Sequence, residues 1–139
     1  MAVREIDLAA DLGEIERMND WLVAHCKVDD KVFDRLKLCL NEAVENVIRY
    51  GGDGTGTHEI ELRLECRDGC AEFQLRDSGR PFDPLDARPR HAYEDLASAE
   101  IGGFGLVLMK EAASEIAYER KSGRNILTAR FCPRQDRAS

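Results

Sequence analysis

Two runs of strict alternation leave little freedom in how the middle of this chain folds. In "THEIELRLEC", residues 57–66, Ile60, Leu62, Leu64 and Cys66 face one side, and Glu59, Glu61, Arg63 and Glu65 face the other. "CAEFQLRDSG", residues 70–79, alternates again, with Ala71, Phe73 and Leu75 turned inward. A period of two residues belongs to a strand, and the intervening "RDG" turns the chain. The pair therefore predicts an antiparallel hairpin with one apolar and one solvated face. Parity carries one step further. Asp77 continues the series 71, 73, 75 and so points to the apolar side. An ionised carboxylate there needs hydrogen-bond donors. A strand-end cap can supply them, and so can the N–H groups of a ligand.

The segments around the hairpin supply more strands and the helices. "VREIDL" forms a short first strand. "DLGEIERMNDWLVAHC" carries Leu12, Ile15, Met18, Leu22 and Cys26 near helical spacing, with Asp11 as a possible N-cap. A second helix begins near Asp29 or Asp30 and runs to Tyr50, where Gly51 and Gly52 stop it. At about 100° per residue, Phe33, Leu36, Cys39, Leu40, Ala43, Val44, Val47, Ile48 and Tyr50 share one broad arc. Glu42 and Asn46 stand one turn apart at the edge of that arc, on a common face and half-buried. They are either boundary residues satisfied by neighbouring backbone or the wall of a pocket. "IGGFGLVLMKEAA" is a glycine cluster opening an apolar helix, and "SEIAYERKSGRNILTARF" is a second hairpin turning at Ser122-Gly123. The order β-α-α-β-β-α-β-β implies an α/β fold, a layer of helices against one mixed sheet, in one domain without repeats. Between Leu85 and Glu100 lies a polar, Pro-containing stretch of the kind that forms lids.

Composition narrows the function. Hydrophobic residues make up 43% and charged residues 34%, with a net charge of −7. That balance argues against nucleic-acid binding, which requires clustered Lys and Arg. No apolar run is long enough to span a membrane, and the first residues lack a signal peptide's apolar stretch, so a cytoplasmic protein is expected. The five cysteines, Cys26, Cys39, Cys66, Cys70 and Cys132, are scattered without a zinc-site pattern and are expected to be reduced thiols.

Three clusters carry the chemistry: Glu42 with Asn46 on a helix, Asp77 with Gly79 at a strand end, and Gly102, Gly103 and Gly105 opening a helix. Glycines before a helix are often only a tight turn. The alternative is phosphate binding by free N–H groups at the helix N-terminus. A nearby Asn can hold Mg²⁺ through its side-chain oxygen. A Glu one turn away can orient or deprotonate an attacking hydroxyl, and an inward Asp can accept from an exocyclic amine. These pieces fit together as one ATP site.

"NEAVENVIRYG", "RDSGRPFDP" and "GGFGLVLMKEAASEIAYERKSGRNIL" resemble the N, G1 and G2 boxes of the Bergerat-fold (GHKL) ATPases, the superfamily of gyrase, histidine kinases and MutL. Within it the chain is most similar to the small bacterial serine kinases that act as anti-sigma factors. The resemblance runs from the first strand to Phe131 and implies a mixed, mostly antiparallel sheet with helices packed on one face. It gives Asn46 the Mg²⁺ contact and Glu42 the role of general base or hydroxyl-orienting group. Asp77 would bind the adenine amino group, with Gly79 leaving room for the base. Gly102, Gly103 and Gly105 would line the triphosphate, with residues 85–101 as the lid, and Asn125 would join the nucleotide site from the closing hairpin. Arg49, Arg88, Arg90 and Lys110 either offset phosphate charge or are simply solvated.

The resemblance also implies the activity. His25, His58 and His91 are isolated, so neither a phospho-accepting His helix pair nor a DNA-coupling transducer domain is expected. A free-standing ATP domain with Glu42 best fits a serine/threonine kinase. It would transfer the γ-phosphoryl of Mg·ATP to an anti-anti-sigma antagonist and otherwise bind a sigma factor. The rival is a binding switch in which ATP shapes a partner surface and phosphotransfer is slow or irrelevant. A homodimer formed through the first strand and helix, burying Leu8 and Trp21 between protomers, is also implied. Two positions depart from the family pattern: Asn41, where relatives usually carry Ser, and Ser114, where they carry Asp.

Overall fold

The computed structural model describes residues 3–51, 59–81, 83, 85 and 109–134. Five strands, β1 (Val3–Ala9), β2 (Glu59–Arg67), β3 (Cys70–Asp77), β4 (Glu115–Lys121) and β5 (Arg124–Phe131), form one sheet in the order β1-β2-β3-β5-β4. Two helices, α1 (Glu14–His25) and α2 (Asp30–Tyr50), precede β2. All four strand pairings are antiparallel, so the expected mixed sheet is wholly antiparallel among the described strands. Residues 109–112 are helical. The rest of the expected third helix, with Gly102, Gly103 and Gly105, lies outside the described residues, as does nearly all of the expected lid.

Both hairpins turn where the sequence places them. Asp68 and Gly69 have φ of 53° and 79°, and Ser122 and Gly123 have φ of 53° and 77°. Two successive positive φ values give a turn whose twist matches that of the flanking strands. The alternation of β2 and β3 then becomes burial. Ile60, Leu62 and Leu64 of β2 pack with Ala71, Phe73 and Leu75 of β3 in one core beneath α2. From α2 the core receives Val32, Leu36, Cys39, Leu40, Ala43, Val44 and Val47. From α1 it receives Met18 and Leu22.

The caps explain the helix bounds and correct one expectation. Asp29 caps α2, its carboxylate accepting from Val32 N at 3.0 Å, which satisfies one of the first-turn donors. Asp11 is not the N-cap of α1. That position falls to Gly13, which makes no side-chain cap bond. Asp11 instead closes a turn just upstream, its Oδ1 accepting from Gly13 N at 3.0 Å. Glu14, the first residue of α1, ties the helix start to β1: its Oε1 accepts from Ala9 N at 3.0 Å, and Arg17 Nε donates to Oε2 at 2.7 Å.

Two further expectations change in three dimensions, those for Leu8 and for the pair Cys70 and Cys132. Leu8 is buried inside the molecule, opposite Ile60 in the β1–β2 register, so it completes the core and is not free to pair protomers. Trp21 is half-buried and tilts against His25. Cys70 and Cys132 are joined in a disulfide rather than reduced. Ala71 pairs with Phe131 across β3 and β5, so the flanking Cys70 and Cys132 face each other with Cα atoms 4.3 Å apart, within bonding reach. Cys26, Cys39 and Cys66 are free. Burial pushes the Cys26 and Cys39 thiols up to about 12, so both act as small apolar side chains.

Arg35 ties α2 to the far end of the fold. Its guanidinium donates to Ala112 O at 3.2 Å and to Cys132 O. Arg134 donates to Glu111 O and Ala112 O. Carbonyls at the end of a helical turn lack internal partners, and cations there also meet the negative end of the dipole.

Candidate functional site

The site grows from the strand end where β3 leaves the sheet. Asp77 is 4% exposed and pairs across the sheet with Asn125 of β5, which is also 4% exposed. Their buried polar groups are matched to each other. Asn125 Nδ2 donates to Asp77 Oδ1 at 3.0 Å and to Arg80 O at 2.9 Å. Gly79 N donates to the same Asp77 Oδ1 at 2.9 Å, and Tyr118 OH donates to Asn125 Oδ1 at 2.5 Å. Asp77 is thus partly the strand-end cap that parity allowed. Both hydrogen bonds to its carboxylate fall on Oδ1; among the described residues none falls on Oδ2.

Asp77, Asn125 and Tyr118 line a cleft whose other walls are Ala43, Val47, Leu75 and Leu127. Two of these apolar residues, Ala43 and Val47, belong to α2, the helix that also carries Asn46 and Glu42, but neither Asn46 nor Glu42 is among the residues lining the cleft. Asn46 is buried, more deeply than its edge position suggests, and Glu42 is half-buried. No hydrogen bond to the side chain of Asn46 or Glu42 exists among the described residues. Burial, and then the negative charge of Glu45, raise the Glu42 carboxyl above its ordinary value. Among the described residues no group of three His, Cys, Asp or Glu side chains is placed to hold a metal ion.

Gly79 has a constraint that the sequence did not reveal. A Cβ there would lie 2.1 Å from Gly51 O and 2.8 Å from Gly51 C. The contact is backbone on backbone, so it cannot be relieved by turning a side chain. It exists because the loop after β3 is bound to the end of α2: Arg80 N donates to Gly51 O at 2.7 Å and Arg80 Nε to Tyr50 O at 2.9 Å. Arg120 Nη1 adds a bond to Gly79 O at 2.8 Å. Gly79→Ala should therefore loosen the junction that carries Asp77. The expected loss is about 1–3 kcal/mol of stability, the usual range for overpacking, read as a lower urea midpoint at unchanged slope. An unchanged midpoint would show that the loop moves away freely.

Other positions separate cleanly. Arg49 is held on the surface by Glu45, with N–O 2.9 Å; Lys110 is exposed; Arg88 and Arg90 lie outside the described residues. Both departures from the family pattern have local partners. Asn41 exchanges two hydrogen bonds with Asn19 of α1, at 2.9 and 3.0 Å. Ser114 Oγ accepts from Cys132 N at 3.0 Å. Tyr118, Arg80 and Arg120 were missed in the sequence. The parity that singled out Asp77 would have found two of them, since 116, 118 and 120 alternate in phase on β4 and Arg120 stands level with Asn125.

Comparison with known proteins shows the family of the chain. A family model described as a histidine kinase-like ATPase domain matches residues 8–131. The chain is 32% identical over 114 residues to the serine/threonine-protein kinase BtrW of Bordetella bronchiseptica, covering 78% of each protein. It is 22% identical over 105 residues to the serine-protein kinase RsbW of Oceanobacillus iheyensis, covering 73% of this chain and 66% of that one. The crystal structure of the RsbU and RsbW domains of a Mycobacterium tuberculosis protein matches with a TM-score of 0.62 at 17% identity. That match covers 95% of this chain and 32% of the other, and it speaks for the fold alone. Among the described residues no helix is long and apolar enough to cross a membrane. With a family match over nearly its whole length and a five-stranded sheet carrying helices, the chain belongs to the histidine kinase-like ATPase domain family.

Proposed function

We propose that this chain is an ATP-dependent serine/threonine protein kinase working in partner switching. It phosphorylates a small antagonist of the anti-anti-sigma type and otherwise holds a sigma factor. The observation that carries this reading is the half-satisfied carboxylate of Asp77. Its Oδ1 takes two protein donors, while Oδ2 takes none among the described residues, in a cleft whose other walls are Tyr118, Asn125 and the aliphatic side chains of Ala43, Val47, Leu75 and Leu127. A buried acceptor left unpaired costs about 1–3 kcal/mol. An unpaired acceptor edge between aliphatic side chains matches a flat, largely apolar group with an N–H donor on its edge, and adenine with its exocyclic amine meets that description. Kinase activity in the two named relatives supports the assignment of ATP.

The α2 residues fit the rest of the nucleotide. Asn46 is a buried amide with no side-chain hydrogen bond among the described residues, and Mg²⁺ takes few protein ligands because it keeps several waters. When bound, Mg²⁺ neutralises charge on the phosphates and orients them. Glu42, one turn away, receives the proton of the substrate hydroxyl, and its raised pKa makes it the stronger base. Positioning and electrostatics do most of the work in phosphoryl transfer. Gly102, Gly103 and Gly105, outside the described residues, complete the phosphate contacts in this reading.

The test is incubation with γ-labelled ATP, Mg²⁺ and candidate antagonists encoded beside the gene. Label should appear on a Ser or Thr of one antagonist and vanish when Mg²⁺ is chelated. ATP-dependent sigma-factor binding without label transfer to any antagonist would reduce the protein to a binding switch.

A further inference from the structure

The Asp77–Asn125 pair does not end at Asn125. Its amide orientation is forced from one side, because turning Oδ1 toward Asp77 Oδ1 and Arg80 O would set three acceptors against one another. The Nδ2 group therefore points at those two oxygens, 3.0 and 2.9 Å away. Oδ1 points the other way and requires a donor. Tyr118 OH is that donor, at 2.5 Å, and its ring lines the same cleft as Asp77. Tyr118 stands in the next row of the sheet, opposite Leu127, so its hydroxyl reaches Asn125 diagonally across β4 and β5.

We infer that Tyr118 is a positioning residue for base selectivity, acting through Asn125 on the carboxylate of Asp77. This rests on the reading of the cleft as an adenine site. The chain of bonds runs from Tyr118 OH to Asn125 Oδ1 and from Asn125 Nδ2 to Asp77 Oδ1, where Gly79 N also arrives. With Oδ1 saturated by these two donors, the carboxylate plane is fixed and Oδ2 presents an acceptor edge to the ligand. An acceptor edge selects a 6-amino purine and rejects a 6-oxo purine, whose oxygen would face it unpaired. Removing the phenolic hydroxyl takes this donor away from Asn125 Oδ1 and lets the Asn125–Asp77 unit relax. Only a ligand that uses Oδ2 feels that relaxation.

That last property makes the inference testable. The full chain and its Tyr118→Phe variant are titrated calorimetrically with Mg·ATP and with Mg·ITP, which carries an oxygen in place of the 6-amino group. In the variant, the ATP dissociation constant should rise about 3- to 10-fold, the span of one net hydrogen bond. The ITP constant should stay within error. Equal weakening of both would show that Tyr118 only packs the cleft and would overturn the inference, as would an unchanged ATP constant. A wild-type protein that binds ATP and ITP equally would instead sink the adenine reading itself, and this inference with it. A second arm keeps the test free of folding effects. In an Asp77→Asn background the acceptor edge is gone, so adding Tyr118→Phe should cost no further ATP affinity. Additive losses would refute coupling through Asp77.

Discussion

Glu42→Gln should lower phosphotransfer to a protein substrate by about 10²–10⁴-fold, the contribution typical of a general base, while ATP binding holds or tightens. The amide keeps the size and hydrogen-bonding capacity of the side chain but cannot take a proton. It also removes one negative charge from the neighbourhood proposed for the phosphates. The raised pKa of Glu42, caused first by burial and then by Glu45, adds two readouts. A base works only when ionised, so the wild-type rate should fall on acidification through a pKa above the ordinary 4.5. The residual activity of the variant should lack that limb. The folded state also holds this proton more tightly than the unfolded chain does. Stability from Glu42 is therefore fully present below the unfolded pKa and declines as pH rises through the folded one. At neutral pH the ionised group is a burden that Gln removes, so the variant should melt at or above the wild-type temperature at pH 7. The difference should close as the pH drops. A variant that phosphorylates its substrate at the wild-type rate would leave Glu42 a boundary residue on the edge of α2.

The period-two runs explain why so much of the fold is legible in the sequence. Alternation in β2 and β3 sets both the hairpin and the burial of Ile60, Leu62, Leu64, Phe73 and Leu75, and parity alone turns Asp77 inward. The ends of α2 are equally legible, because Asp29 and Gly51 are local signals for starting and stopping a helix. What escaped depends on pairings between segments distant in sequence. Cys70 meets Cys132 only because β5 lies beside β3, a neighbour relation that skips β4. Gly79 meets Gly51 only because the loop after β3 is pinned to α2. Leu8 enters the core through the β1–β2 register, which composition does not reveal. Asp11 failed as a cap for a different reason: its carboxylate closes a turn on Gly13 N, and α1 starts at Glu14 with no side-chain cap bond.

The Asp77 site should change its preference, not merely weaken, when its charge is removed conservatively. In Asp77→Asn the new amide oxygen can take over both bonds now made to Oδ1, from Gly79 N and Asn125 Nδ2. The two buried donors stay satisfied, and the fold should survive. Asp77→Ala lacks that property: it leaves both donors without their acceptor, and each unmade bond costs about 1–3 kcal/mol, so a loss of binding there would be confounded by loss of structure. With Oδ1 replaced in kind, the nitrogen of the introduced amide falls where Oδ2 was, and a donor edge stands in place of an acceptor edge. The amine of adenine then meets another donor. A hydrogen bond to a charged group contributes about 1.5–3 kcal/mol, so ATP affinity should fall about 10- to 150-fold. The 6-oxo group of ITP finds a partner it lacked, so ITP should bind the variant at least as well as it binds the wild type. Calorimetric titration of both nucleotides, with the melting temperature as a control for folding, reads the two effects apart. Unchanged ATP affinity in a folded Asp77→Asn protein would return Asp77 to the role of strand-end cap, and the base-binding edge would have to be sought elsewhere in the cleft.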